Sequence, residues 1–357
     1  MLMATRPEGA LDSGPLEAIL RVTPESREAV FRRVEGGIPH PVEVTVKVAK
    51  RLSGGWREAS PSGSWGIPFV TLEEHTEMAA TQPPARTLLP GVKYVIAVAS
   101  GKGGVGKSTT AVNLALALAA RGAAVGILDA DVYGPSLPRM LDIHYQPDAM
   151  EEAGNKRILP VEVLGVKAIS MGFFMPEATP MVWRGPMVGM AVEQLLRDVE
   201  WGTLDYLVVD LPPGTGDAQL TLTQRVPLTG VVIVSTPQDV ALADVRKGIN
   251  MFRKVDVPVL GIIENMSYHL CPNCGHRSDI FSHGGARREA EAAGLHFLGE
   301  VPLDQSIREH ADSGKPIVIT DPQSPQAVQY LEIARLVAER VEAMAATESP
   351  FPSIVVE

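Results

Sequence analysis

A chain of 357 residues with 45% hydrophobic and 21% charged content can bury a sizeable core, so it reads as globular, with one large α/β domain and a small extra module. Its net charge of −10 speaks against broad non-specific nucleic-acid binding, which needs a basic face to release counterions. The two cysteines both lie in Cys271-Pro-Asn-Cys274, which favours a metal or redox role in a reducing cytoplasm over a disulfide framework.

In chain order, Met1 to Gly9 lacks the positive region and continuous apolar core of a secretory leader. Leu16 to Leu20 and Glu25 to Val34 fit short helices, and Val42 to Val48 alternates like a half-buried strand. Ser53-Gly-Gly-Trp, Ser60-Pro-Ser-Gly-Ser-Trp-Gly and Gln82-Pro-Pro-Ala-Arg supply loop chemistry. Residues 1–80 are therefore expected to be a small or partly disordered N-terminal module, 81–91 a linker, 92–345 the main domain and 346–357 a tail. That tail is neither basic nor amphipathic, and Ala111 to Leu128, the most apolar stretch, is broken by Arg121-Gly122, so no membrane association is expected.

From residue 91 onward strands alternate with helices, predicting a doubly wound, mostly parallel α/β sheet. The expected strands are Tyr94 to Ala99, Ala124 to Asp129, Tyr206 to Leu211, Val231 to Thr236, Val259 to Glu264, Phe297 to Val301 and Ile317 to Thr320. Helices are expected at Ser108 to Arg121, Met187 to Val199, Ala218 to Arg225, Val240 to Lys254, Ala286 to Ala293 and Pro325 to Ala345.

Between the first strand and the first helix stands Gly101-Lys102-Gly103-Gly104-Val105-Gly106-Lys107-Ser108-Thr109. Glycines let the backbone wrap phosphate oxygens and aim N–H groups inward, and the helix N-terminus adds positive potential. Lys107 is expected to reach the β- and γ-phosphates, and the Ser108 hydroxyl to ligate Mg²⁺. Two carboxylates, Asp129 and Asp131, sit two positions apart at the end of the next strand, where P-loop proteins sense the γ-phosphate. Asp129 is assigned to the Mg²⁺ shell and Asp131 to the attacking water; capping of the following helix is the competing reading. Asp210 ends an apolar strand as a Walker B carboxylate does, and Gly214 in Asp210-Leu-Pro-Pro-Gly214-Thr-Gly-Asp can bring an N–H to the γ-phosphate. The Asn265 amide suits an adenine edge, and Asp239 reads as the N-cap of the helix starting at Val240.

The P-loop with its extra lysine, Lys102, resembles that of the deviant ATPase group containing the nitrogenase iron protein, the septum-site and chromosome-partition ATPases and the Mrp-type iron-sulfur carriers. The resemblance implies that Lys102 crosses a dimer interface to the partner's nucleotide, and it places adenine near Asn265. Two thiols are half of what a structural zinc site or a [4Fe-4S] cluster needs, so a cluster would require a second copy of the chain. Asn265-Met-Ser-Tyr-His-Leu-Cys-Pro-Asn-Cys-Gly, together with the Asp129 and Asp210 motifs, closely resembles the Mrp family of iron-sulfur cluster carrier ATPases over roughly residues 91 to 340. That resemblance implies ATP hydrolysis by a homodimer carrying a bridging [4Fe-4S] cluster for apoproteins, with scaffold proteins as further partners. The family often has a small N-terminal domain with an Asp-Pro-Glu motif, of which Thr23-Pro-Glu-Ser is a faint echo. Three alternatives stay open: a zinc knuckle of Cys271 and Cys274 with His269, His276 or His283; a thioredoxin-type pair; and a partition-type ATPase acting as a nucleotide-switched binding module.

Overall fold

The structure, a computed structural model, describes residues 49–52, 55–58, 89–152, 155–174 and 185–348. The chain divides into two units, 1–79 and 80–357. In the first, β1 (Ala49–Leu52) pairs antiparallel with β2 (Gly55–Glu58). The expected helices before residue 35, the strand at 42–48, most of the linker and the tail from 349 lie outside the described residues.

The second unit begins with β3 (Val92–Ala99), α1 (Lys107–Ala120), β4 (Val125–Asp129) and the one-turn α2 (Leu137–Met140). A hairpin of β5 (Ala149–Glu152) and β6 (Asn155–Ile158) precedes a second one, β7 (Val161–Val163) and β8 (Val166–Ser170). Then come α3 (Gly185–Asp198), β9 (Leu204–Asp210), α4 (Asp217–Arg225), β10 (Gly230–Ser235), α5 (Asp239–Lys254) and β11 (Val259–Asn265). A small hairpin of β12 (His269–Leu270) and β13 (Arg277–Ser278) leads to α6 (Gly285–Ala293), β14 (Phe297–Val301), α7 (Gln305–Asp312), α8 (Ile317–Thr320) and α9 (Pro325–Glu348).

Eight strands form one sheet in the order β14-β11-β10-β3-β9-β4-β8-β7, parallel except for the edge pair β7–β8. Alternation along β3 shows how both faces are covered: Ile96 and Val98 join Leu114, Leu118, Tyr330 and Val337 on the side of α1 and α9. Val95, Ala97 and Ala99 face the other way, toward Val192, Leu222, Leu242 and Phe252 on α3, α4 and α5. Helix α1 is apolar all round, which fits its place between the sheet and α9.

Two local elements differ from expectation and one is new. Ile317 to Thr320 is a helix: Pro316 sets φ at −52°, Ile319 and Thr320 N–H groups return to its carbonyl, and Ile317 and Val318 bury against α1 and α9. A four-residue apolar run fits either element, and sheet pairing decides. Helix α5 starts at Asp239, with Gln238 at the N-cap, so Asp239 acts in the first turn through the helix dipole. The β7–β8 hairpin is an addition; Leu164 and Gly165 at φ +50° and +81° make the mirror-image turn usually signalled by Asn-Gly.

Candidate functional site

The carboxyl ends of the central strands converge on the glycine loop between β3 and α1. Gly106 sits at φ +81°, and a Cβ there would run into the Asn265 amide nitrogen. At Gly101 a Cβ would meet Asp244 of α5 at 2.5 Å, so the start of the loop also requires glycine. The Asn265 amide donates to Val105 O at 2.8 Å, Ser100 Oγ donates to Lys102 O at 2.9 Å, and Asn113 Nδ2 donates to Thr109 O at 2.9 Å. Gly103 and Gly104 are exposed, whereas Val105 is buried. Lys102 is half-buried at the loop's start.

The parallel registers set Asp129 of β4 beside Asp210 of β9, and Asp210 beside Val98 of β3. Lys107, the first residue of α1, reaches into this row. Its ammonium lies 2.6 Å from Asp210 Oδ1, 3.6 Å from Asp131 Oδ2 and 3.3 Å from Ser108 Oγ. Lys107 and Asp210 are 6% and 2% exposed, so this is an ion pair taken out of water. Burial pushes the Asp210 carboxyl up, and the adjoining Lys107 ammonium pulls it back. The Asp129 pKa is raised to about 6 by burial first and by the Asp210 charge second.

Asp129 is engaged more heavily than the sequence suggests. Its Oδ2 accepts from Ser136 N, Leu137 N and Ser170 Oγ at 2.9 to 3.1 Å, and its Oδ1 from Asp131 N at 3.1 Å. It therefore fastens the loop after β4 to the start of α2, so the carboxylate that the sequence assigns to the Mg²⁺ shell also caps that helix. Asp131, accepting one backbone N–H from Tyr133, is the carboxylate of the two that stands at Lys107. Gly214, at φ +100°, donates its N–H to Ser100 O at 2.9 Å, so the loop after β9 is latched to the end of β3. Gln219 on α4, which sequence reasoning passed over, lines a small cavity with Ser100, Gly101, Gly214 and Thr215. Its buried Oε1 has no hydrogen-bond partner among the described residues. No sequence pattern marks it; only the geometry does.

The cysteines occupy the turn of the β12–β13 hairpin. Cys271 N donates to His276 O at 2.9 Å and Gly275 N donates to Cys271 O at 2.8 Å, closing a tight loop around the pair. Cys271 is half-buried and Cys274 exposed. The backbone N–H groups of Asn273 and Cys274, then the Cys274 thiol, hold the Cys271 thiol below the usual range. His269 Nδ1 is 3.0 Å from Leu303 O, and His283 stands in a separate cluster with Glu264 and Glu300. Among the described residues no third His, Cys, Asp or Glu donor joins the two thiols. One chain thus offers half of a four-thiolate site.

Residues 91–338 match the family model of the NUBPL iron-transfer P-loop NTPases. The chain is 54% identical to the iron-sulfur cluster transfer protein NUBPL of Dictyostelium discoideum over 72% of its own length and 79% of the relative's. It is 55% identical to an iron-sulfur cluster carrier protein of Pseudomonas fragi, covering 70% and 88%. Among solved structures, a nucleotide-binding protein from Archaeoglobus fulgidus in complex with ADP, with cobalt found in it, is 38% identical, with a TM-score of 0.58 over 68% of this chain and 93% of that one. The Pyrococcus furiosus cell division ATPase MinD, at 21% identity and a TM-score of 0.52, shares the fold. With its P-loop, its Asp-x-Pro-Pro-Gly loop and its cysteine hairpin on one doubly wound sheet, the chain belongs to the NUBPL-type iron-transfer P-loop NTPase family.

Proposed function

We propose that this protein is an ATP-hydrolysing iron-sulfur cluster carrier, working as a homodimer in a reducing cytoplasm. Gly101 to Thr109 wrap the ATP phosphates, and Asn265 at the end of β11 stands on the adenine side. Lys107 turns from Asp210 to the phosphates as they arrive, because a polyphosphate offers it more negative charge than one carboxylate. Ser108 and the released Asp210 carry a hydroxyl and a carboxylate side by side, which fits a Mg²⁺ site. Held there, that ion would supply positive charge against the negative charge developing on the phosphates. Asp131 orients the attacking water, Gly214 exchanges Ser100 O for the γ-phosphate, and Lys102 serves the partner's nucleotide.

The cargo is a cluster of the [4Fe-4S] type, held by Cys271 and Cys274 together with the same pair from a second chain, and handed to iron-sulfur apoproteins or taken from scaffold proteins. The single observation that carries this reading is the tight hairpin presenting two thiols and, among the described residues, no further donor, separated by three residues from a strand whose end touches the P-loop. A zinc knuckle is less well supported, since His269 and His283 are turned to other partners and, among the described residues, no His, His276 included, forms a ligand cluster with the two thiols. Metal and acid-labile sulfide analysis of protein purified without oxygen tests the proposal. Iron with matching sulfide is expected; zinc without sulfide would contradict it, and nucleotide-dependent DNA or liposome binding that survives loss of both cysteines would favour a partition-type module.

A further inference from the structure

One polar cluster lies outside both the nucleotide loop and the cysteines, and it touches the elements that carry each. Strands β11 and β14 pair so that Glu264 stands beside Glu300. Glu264 is fully buried, a placement strongly disfavoured for a carboxylate without donors. It has three: Gly284 N at 2.8 Å, Ala286 N at 2.7 Å and Ser267 Oγ at 2.6 Å. Two of these come from the start of α6, where the helix dipole also favours negative charge. Ser267 Oγ is the hub, lying also 2.9 Å from His283 Nδ1 and 3.2 Å from Glu300 Oε2.

Arg277 ties the cysteine hairpin to this hub. It follows His276, whose carbonyl holds the Cys271 N–H, and it is the first residue of β13. Its guanidinium stacks on the Tyr268 ring at 4.1 Å, lies 3.0 Å from His283 Nδ1, 4.0 Å from Glu300 Oε1, and bonds Asp279 at 3.2 Å. At the other end of the same short segment, Asn265 holds Val105 O of the P-loop. Between the two anchors Met266 adopts φ +55°, a conformation that a non-glycine residue keeps only where its surroundings fix it.

We propose that Arg277, with Glu300 and Glu264 behind it, is the positioning residue that makes the cysteine hairpin follow the P-loop. A shift of Val105 on nucleotide binding moves Asn265, hence the Glu264–Ser267 turn, hence the guanidinium that holds the return strand of the hairpin. Without Arg277 the hairpin base stays paired through Tyr268 O and Leu303 N, at 2.7 Å, so the thiols remain in place but lose the nucleotide signal. The inference rests on the proposed function, an ATP-hydrolysing carrier whose cluster is held by Cys271 and Cys274, and adds a coupling reading in which nucleotide state alters the hold of those thiols.

The test uses the full-length chain without a cluster. Alkylation rates of Cys271 and Cys274 are measured by mass spectrometry with and without a non-hydrolysable ATP analogue and Mg²⁺. In the wild type the rate of at least one thiol is expected to change by about 5-fold or more, the lower end of ordinary site-to-site coupling. Arg277→Met is expected to bring that ratio to within about 2-fold while nucleotide affinity stays close to wild type, and Arg277→Lys to restore part of it. Glu300→Gln, a milder change, is expected to act in the same direction, and it stands in should Arg277→Met fail to fold. A purely structural role would alter melting and leave the ratio alone. A wild-type ratio kept in both Arg277→Met and Glu300→Gln overturns the inference by itself, whereas a wild type with no nucleotide dependence overturns the coupling reading along with it.

Discussion

Removing the Lys107 ammonium should destabilise the protein, and the structure sets the size of the effect. Lys107 pairs with Asp210 at 2.6 Å and faces Asp131 at 3.6 Å, with side chains 3% to 10% exposed. In Lys107→Met, Asp210, Asp131 and the adjacent Asp129 would share a buried site with no cation among them. Deleting one partner of a buried pair costs about 3–5 kcal/mol. For a domain of this size each kcal/mol lowers Tm by roughly 2–4 °C, so a fall of about 10 °C is expected in nucleotide-free buffer at pH 7.5. The pH dependence follows from the sign of the Asp210 shift. Burial already lifts its folded pKa above that of an ordinary aspartate, and losing Lys107 lifts it further. A carboxyl raised in the folded state destabilises the fold above that pKa and ceases to do so as pH falls through it, so the deficit should shrink between pH 7.5 and pH 5. Lys107→Met/Asp210→Asn, which removes both charges, should recover most of the loss. Calorimetry at the two pH values suffices; a single variant melting within about 2 °C of wild type at pH 7.5 would refute a buried, charged pair at this position.

Asp129, with its pKa raised to about 6, makes the folded state less stable as pH rises from 4 through 6, so Asp129→Asn should lose less stability than wild type over that interval in urea titrations. Gly106→Ala combines φ +81° with a Cβ directed into Asn265, and should cost about 1–2 kcal/mol from the backbone alone and abolish ATP binding; Gly106→Ala/Asn265→Ala should recover stability only in part, as denaturation and nucleotide titration would show. Lys102→Ala should bind ADP normally and hydrolyse ATP at least about 100-fold more slowly, by analogy with an arginine finger; normal turnover would remove the role in trans.

Much of the second unit is legible in the sequence because its signals are periodic or chemically singular. Near-continuous apolar runs such as Val231 to Val234 mark strands buried on both faces, and the glycine spacing from Gly101 to Ser108 marks a phosphate loop, although the contacts with Asp244 and Asn265 that require Gly101 and Gly106 emerge only in the fold. Short elements are less legible. Ile317 to Thr320 carries strand-like residues yet forms a turn of helix, because Pro316 and the packing against α1 outweigh propensity. Roles that depend on tertiary placement are also hidden: that Asp129 faces Asp210 and Glu264 faces Glu300 follows from strand pairing, and that Lys107 pairs with Asp210 from where α1 begins, across separations of 36 to 103 positions. Asp129 illustrates the limit, since its hydrogen bonds to Ser136, Leu137 and Ser170 join positions up to 41 residues apart and leave no mark in the local sequence.

Whether two chains share one cluster through Cys271 and Cys274 is decided by anaerobic reconstitution with iron and sulfide, followed by size-resolved metal analysis. About four irons and four sulfides per two chains, with a broad visible absorbance that is lost in Cys271→Ala and in Cys274→Ala, is the predicted result. Reconstituted protein that stays monomeric with no visible absorbance, or an absorbance unchanged in either variant, would contradict it.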